Sequence, residues 1–130
     1  MTPALTLLAW TLVLALVQIL LPAGARTLET GLKYNAGPRD EAGPPVGKIT
    51  ARLQRAQSNL FETLPLFTAA ILIAHMAGRE NAAVVQGAWI YLIARIVYVP
   101  LYAFGIPYAR SVAWAIGLIG LLHILEAILF

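Results

Sequence analysis

Four apolar stretches, each about as long as a lipid bilayer is thick, leave this chain few ways to fold. They run over residues 3–22, 48–76, 82–104 and 108–130, and together they take up most of the 130 residues. About 20 apolar residues in a helix cross the hydrocarbon core of a membrane. Backbone groups in lipid must find their partners within the chain, so helices are the expected form. The expectation is an all-α, integral membrane four-helix bundle, a single domain over residues 1–130. Composition agrees: 60% of residues are hydrophobic and 12% charged, against about 45–50% and about 25% in soluble domains.

The first stretch carries no charge. A cleavable signal peptide competes with a permanent helix there, because Ala23-Gly24-Ala25 has the small residues of a cleavage site. No Lys or Arg precedes it, however, and Arg26 follows it. Residues 23–47 read as a polar loop, with glycines at 24, 31, 37, 43 and 47 and prolines at 38, 44 and 45. Gly78 is placed to end the second helix in a left-handed turn. Gly105-Ile106-Pro107 marks the last break.

The basic residues set an expected orientation. Arg26, Lys33, Arg39, Lys48, Arg52 and Arg55 cluster around the first loop, and Arg110 follows the third helix. The middle loop has only Arg79. The positive-inside rule puts the first and third loops in the cytoplasm and both termini outside.

The absence of cysteine excludes disulfides, thiolate metal sites and a cysteine nucleophile. Two distant histidines give no expectation of a metal centre. A net charge of +3 arises from few acids, not from a dense basic face, so nucleic acid is not an expected partner.

Charges inside an apolar span are costly, about 2.5–3.5 kcal/mol each at a helix centre on insertion scales. Arg52, Arg55, Asn59 and Glu62 recur at spacings of 3, 4 and 3. At 100° per residue they fall within about an 80° arc of one helix. Tyr91, Arg95, Tyr98 and Tyr102 form a second stripe at spacings of 4, 3 and 4. Arg95 is too deep to reach water easily, and Glu62 is its natural counter-ion. Snorkelling arginines and an interfacial tyrosine belt account for part of this pattern. The belt suits Tyr102 and Tyr108 better than the deeper Tyr91 and Tyr98. Gly117 and Gly120 offer close helix approach. His123 and Glu126 read as a local polar pair. The two stripes together describe a basic, tyrosine-lined cleft. Its guanidinium forks suit a small molecule with several carboxylates, held beside a reactant dissolved in lipid.

The run Arg52-x-x-Arg55-Ala56-x-x-Asn59-x-x-Glu62-x-x-Pro65-x-Phe67 resembles the signature of the MAPEG family, the membrane-associated proteins in eicosanoid and glutathione metabolism. Tyr91-Leu92-Ile93-Ala94-Arg95 with Tyr98 and Tyr102, and then Arg110-Ser111-Val112, are similar to blocks of its third and fourth helices. The likeness is specific over about residues 48–115 and rests on hydropathy elsewhere. It implies a homotrimer that binds glutathione, as thiol co-substrate, between neighbouring subunits on the cytosolic side. The implied activity is that of a transferase or peroxidase acting on a hydrophobic small molecule or lipid.

Carried over by position, Arg55, Asn59 and Glu62 bind the glutathione backbone, with Arg52 at the head of the same stripe. Arg95, Tyr98 and Tyr102 complete the pocket. Arg110 matches the arginine assigned to the thiolate, and Ser111 its neighbour. Trp114 stands where family enzymes often have Tyr, and Thr63 where some do. Lys33 is the nearest match to a basic pair they carry after the first helix. The Gly37-Pro38-Arg39-Asp40-Glu41 loop resembles that of bacterial relatives, which implies a bacterial cytoplasmic membrane. A non-catalytic lipid-binding member of the family is the alternative. A small four-helix exporter of cations is a third, disfavoured because such proteins use an acidic residue in the first helix.

Overall fold

A computed structural model describes all 130 residues. It contains α1 (Pro3–Thr30), α2 (Leu32–Ala36), α3 (Lys48–Met76), α4 (Ala82–Ala103) and α5 (Ala109–Leu129). Four of these, all but α2, are long and apolar enough to cross a membrane. Each follows its neighbour antiparallel. Thr2 hydrogen-bonds Glu80, and Arg79 donates to the Ile128 carbonyl. Both termini therefore lie at one end of the bundle, beside the α3–α4 turn. The other end gathers the basic residues and is the basic end of the bundle.

The polar loop expected over residues 23–47 needs correction. α1 continues through Pro22 to Thr30, and α2 adds a further short helix. Pro22 removes one backbone donor, but the residues after it supply few other obstacles, and the helix stops only where Gly31 takes φ +85°. At 28 and 29 residues, α1 and α3 are about 42–44 Å long and overrun a hydrocarbon core of about 30 Å. Their overhangs meet at the basic end. Glu29 accepts from the Thr50 hydroxyl at 2.6 Å and from the Gly47 amide. Arg26 donates to the Pro44 carbonyl at 2.7 Å. Tyr34 bridges the Glu41 carbonyl and the Gly43 amide. The chain between α2 and α3 is thus tied down onto the overhang.

Gly78 adopts φ +68° just past α3, as expected of a helix terminator. α4 and α5 touch backbone to backbone. A Cβ on Gly120 would sit 2.8 Å from the Gly87 carbonyl oxygen and 2.8 Å from the Tyr91 nitrogen. Small residues at such a crossing allow the close packing that membrane helices rely on.

The main apolar core includes Leu60, Leu64, Phe67, Ile71, Leu92 and Ile124. A smaller core of Ala56, Tyr98 and Ala113 lies toward the basic end. Arg95 stands on α4 one turn from Leu92 and one turn from Tyr98, so it separates the two.

Candidate functional site

The antiparallel register of α3 and α4 builds the site. Asn59 meets Arg95, and four residues further along α3, Thr63 meets Tyr91, four residues back along α4. Arg95 Nη1 donates to Asn59 Oδ1 at 2.8 Å, and the Thr63 and Tyr91 hydroxyls are 2.8 Å apart. Tyr91 stacks on Phe67 with centroids 4.2 Å apart. Tyr91 is therefore a packed core residue.

The expected Arg95–Glu62 pair does not form. Glu62 falls between the two contact levels and points about 60° away from Asn59 around α3, where it is exposed. Asn59 takes the place at Arg95. A neutral acceptor leaves the charge of Arg95 uncompensated. The guanidinium is 1% exposed, and its Nε and Nη2 have no hydrogen-bond partner. It also lies over the face of Tyr98, 4.2 Å from Cζ to the ring centroid.

One turn on, Tyr98 packs edge-on against Tyr102, with centroids 5.5 Å apart and planes at 64°. Two further arginines converge on Tyr102. Arg55, from α3, donates Nε to its hydroxyl at 3.1 Å and sits 5.7 Å from the ring centroid. Arg110, from the first turn of α5, lies over the ring at 4.4 Å. Tyr102 is thus part of this cluster and not of an interfacial belt, whereas Tyr108 is 86% exposed.

Arg52 takes a different part. Its guanidinium occupies the space a Cβ on Gly105 would need, and Nη1 approaches the Ala103 carbonyl at 3.4 Å. A cation at the C-terminus of α4 complements the helix dipole. Gly105, at φ +67°, is what lets the chain turn closely over it. Ser111 is exposed and makes no side-chain hydrogen bond. The structure leaves it beside Arg110 without joining it to the cluster.

The ion pairs of the chain all lie elsewhere: Arg26–Glu29 at the overhang, His75–Glu80 and His123–Glu126 at the far end. Arg52, Arg55, Arg95 and Arg110 have no carboxylate within ion-pair reach. The sum is an excess of positive charge at the basic end, held among three helices by aromatic faces. Such a cluster favours an anion, and the N-terminus of α5 adds a partial positive charge of its own.

Further residues went unrecognised in the sequence. Arg26, Asn35, Arg39, Gln54 and Gln57 line a polar pocket of about 410 Å³ against α1 and α2, apart from the arginine cluster. It forms only because α1 overruns the membrane-length stretch, which apolar runs do not reveal. Gln18 is buried at 2% exposure with neither amide atom bonded. A larger apolar groove of about 990 Å³ lies on the outer side of α4 and α5, along Trp89, Ile93 and Val97.

A family model described as the MAPEG family matches residues 7–130. The chain belongs to the MAPEG family. No curated protein and no solved structure matches it. The match spans all four long helices, and with them it makes the chain an integral, multi-pass membrane protein. The MAPEG family contains glutathione-dependent transferases and peroxidases as well as non-catalytic members.

Proposed function

We propose that this protein is a membrane-embedded, glutathione-dependent transferase or peroxidase. The observation that carries the reading is the convergence of Arg55, Arg95 and Arg110 on the Tyr98–Tyr102 pair with no carboxylate to neutralise them. Glutathione brings two carboxylates, an ammonium group and a thiol. Its carboxylates suit guanidinium forks. Its ammonium suits Glu62, which is exposed and unpaired at the edge of the same face.

A free thiol has a pKa of about 8.5 and is mostly protonated at neutral pH. Arg110 within hydrogen-bond reach of the sulfur favours the thiolate, which is the nucleophile. The thiolate then attacks a carbon of a lipophilic electrophile, forming a C–S bond as a leaving group departs with its electron pair or as a conjugated double bond opens and takes up a proton. With a hydroperoxide it attacks the distal oxygen and breaks the O–O bond; the alkoxide leaves and takes a proton to give an alcohol, and the sulfenic acid formed condenses with a second thiol to give the disulfide and water. Arg110 sits at the start of α5, where a soluble thiol and a lipid-phase substrate can meet.

The same reading includes a homotrimer with glutathione between subunits. It also places the basic end in the cytoplasm, in a bacterial cytoplasmic membrane, as the positive-inside rule favours. The test is direct. Glutathione added to the purified protein is expected to develop thiolate absorbance at pH 7, and Arg110→Ala is expected to abolish it. Absence of a signal in the unaltered protein would count against the reading.

A non-catalytic, lipid-binding role is the second reading. It is favoured by Ser111, which makes no bond, and by Trp114, which cannot offer a phenol. Turnover of a generic electrophile that depends on Arg110 would exclude it.

A further inference from the structure

We infer that Tyr102 is a positioning residue: its ring holds Arg110 at the thiol, and its hydroxyl holds Arg55, so that two like charges from different helices share one site. This rests on the glutathione reading above and assigns Tyr102 a role through the arginines, beyond its expected place in the pocket wall.

Arg55 and Arg110 are both partly or largely accessible, and neither has a carboxylate partner. Two long cations at a membrane boundary repel each other and ordinarily extend toward water or headgroups. Here both return to one aromatic side chain. Arg110 lies over the ring at 4.4 Å, an attraction to its negative face. Arg55 sits farther out, at 5.7 Å from the centroid, and is held instead by the 3.1 Å bond from Nε to the hydroxyl. The ring itself packs in a T-shaped contact with Tyr98, which is buried, carries Arg95 on its own face and also reaches Arg110. The contacts therefore run from the Arg95 guanidinium through the Tyr98–Tyr102 ring pair to the Arg110 guanidinium. The two functions of Tyr102 are separable, because the ring serves one arginine and the oxygen the other.

That separation gives the experiment. The full-length protein is prepared in detergent micelles as wild type, Tyr102→Phe, Tyr102→Leu and Arg110→Ala. Three quantities are read: the pH midpoint of thiolate formation with glutathione, the glutathione affinity by calorimetry, and the arginine Nε–H resonances of the ligand-free protein by NMR. Tyr102→Phe keeps the ring. It is expected to leave the midpoint unmoved, to weaken glutathione binding about three- to tenfold, and to shift only the Arg55 resonance. Tyr102→Leu is expected to raise the midpoint by about one pH unit and to remove the ring-current shift of Arg110 as well. Tyr102→Met carries the same expectation where the Leu variant does not assemble.

An Arg110 resonance unmoved in the ring-free variant, Leu or Met, overturns the inference, as does a midpoint unmoved in that variant where wild type forms thiolate. If wild type forms no thiolate at all, the glutathione reading fails, and the ligand-free resonances still decide the role of Tyr102.

Discussion

Arg95 bears the largest electrostatic cost of any side chain here. It is buried at mid-helix, it has one hydrogen bond, and that bond goes to a neutral amide. Charged residues placed so deep in a spanning helix generally mark a functional site. A carboxylate at its side would have settled the charge and removed the attraction for a ligand. Asn59 orients the guanidinium without neutralising it. Replacing Asn59 by Leu is therefore expected to lower stability by about 1–3 kcal/mol, through the loss of the one acceptor that Arg95 has. Thermal unfolding in detergent measures this. Asn59→Asp is expected to act in the opposite sense on the two properties, raising stability while weakening glutathione binding, because it supplies the counter-charge that the anion would otherwise provide. Parallel melting and calorimetry with glutathione test that pair. Thr63 belongs to the same level of argument. In the sequence it looked like a missing tyrosine, yet its hydroxyl pairs with that of Tyr91 and joins α3 to α4 just beyond Arg95.

At the scale of the helix, periodicity carried most of the information. Four apolar stretches gave four long helices, and two polar stripes at helical spacing gave two of the faces that meet. The stripes were legible because a 100° rotation per residue fixes which side chains align. Partner choice across helices was not legible, since it depends on register. A shift of one turn along α3 decides between Glu62 and Asn59 as the neighbour of Arg95, and no pattern within either helix encodes it. The extent of α1 was missed for a related reason. Its last two turns are polar, and a run of apolar residues measures the membrane, not the helix.

Gly120 was expected at a close approach, and its counterpart Gly87 became visible only when α4 and α5 were seen to cross there. Gly120→Val is expected to destabilise the bundle by about 1–3 kcal/mol, because the new Cβ would meet backbone atoms of α4 that cannot move aside without disturbing Tyr91. Gly24→Val, where an added Cβ meets nothing within 4 Å, is the matched control for a change of the same size. Chemical or thermal denaturation of both variants in the same detergent gives the comparison.

For the molecule as a whole, an asymmetry between the two ends ties fold to function. The far end has its charges paired, with Glu80 bonded to Thr2 and close to His75, and Arg79 closing onto the Ile128 carbonyl. The basic end keeps four arginines free of carboxylates and ties only its overhang, through Arg26 and Glu29, into ion pairs and loop contacts. An anionic thiol made in the cytosol would reach this end only if it faces that side. The positive-inside rule and the proposed chemistry therefore demand the same orientation for independent reasons, one concerning insertion and the other concerning supply. Because the chain has no cysteine, a single introduced thiol reports its position without background. Asp40→Cys marks the loop before α3, and Ala77→Cys marks the α3–α4 turn; both positions are exposed. On intact cells a membrane-impermeant maleimide is expected to label Ala77→Cys and to spare Asp40→Cys until the membrane is opened. The reverse pattern would put the arginine cluster outside, where cytosolic glutathione cannot reach it, and would remove the glutathione reading even if the cluster itself binds anions.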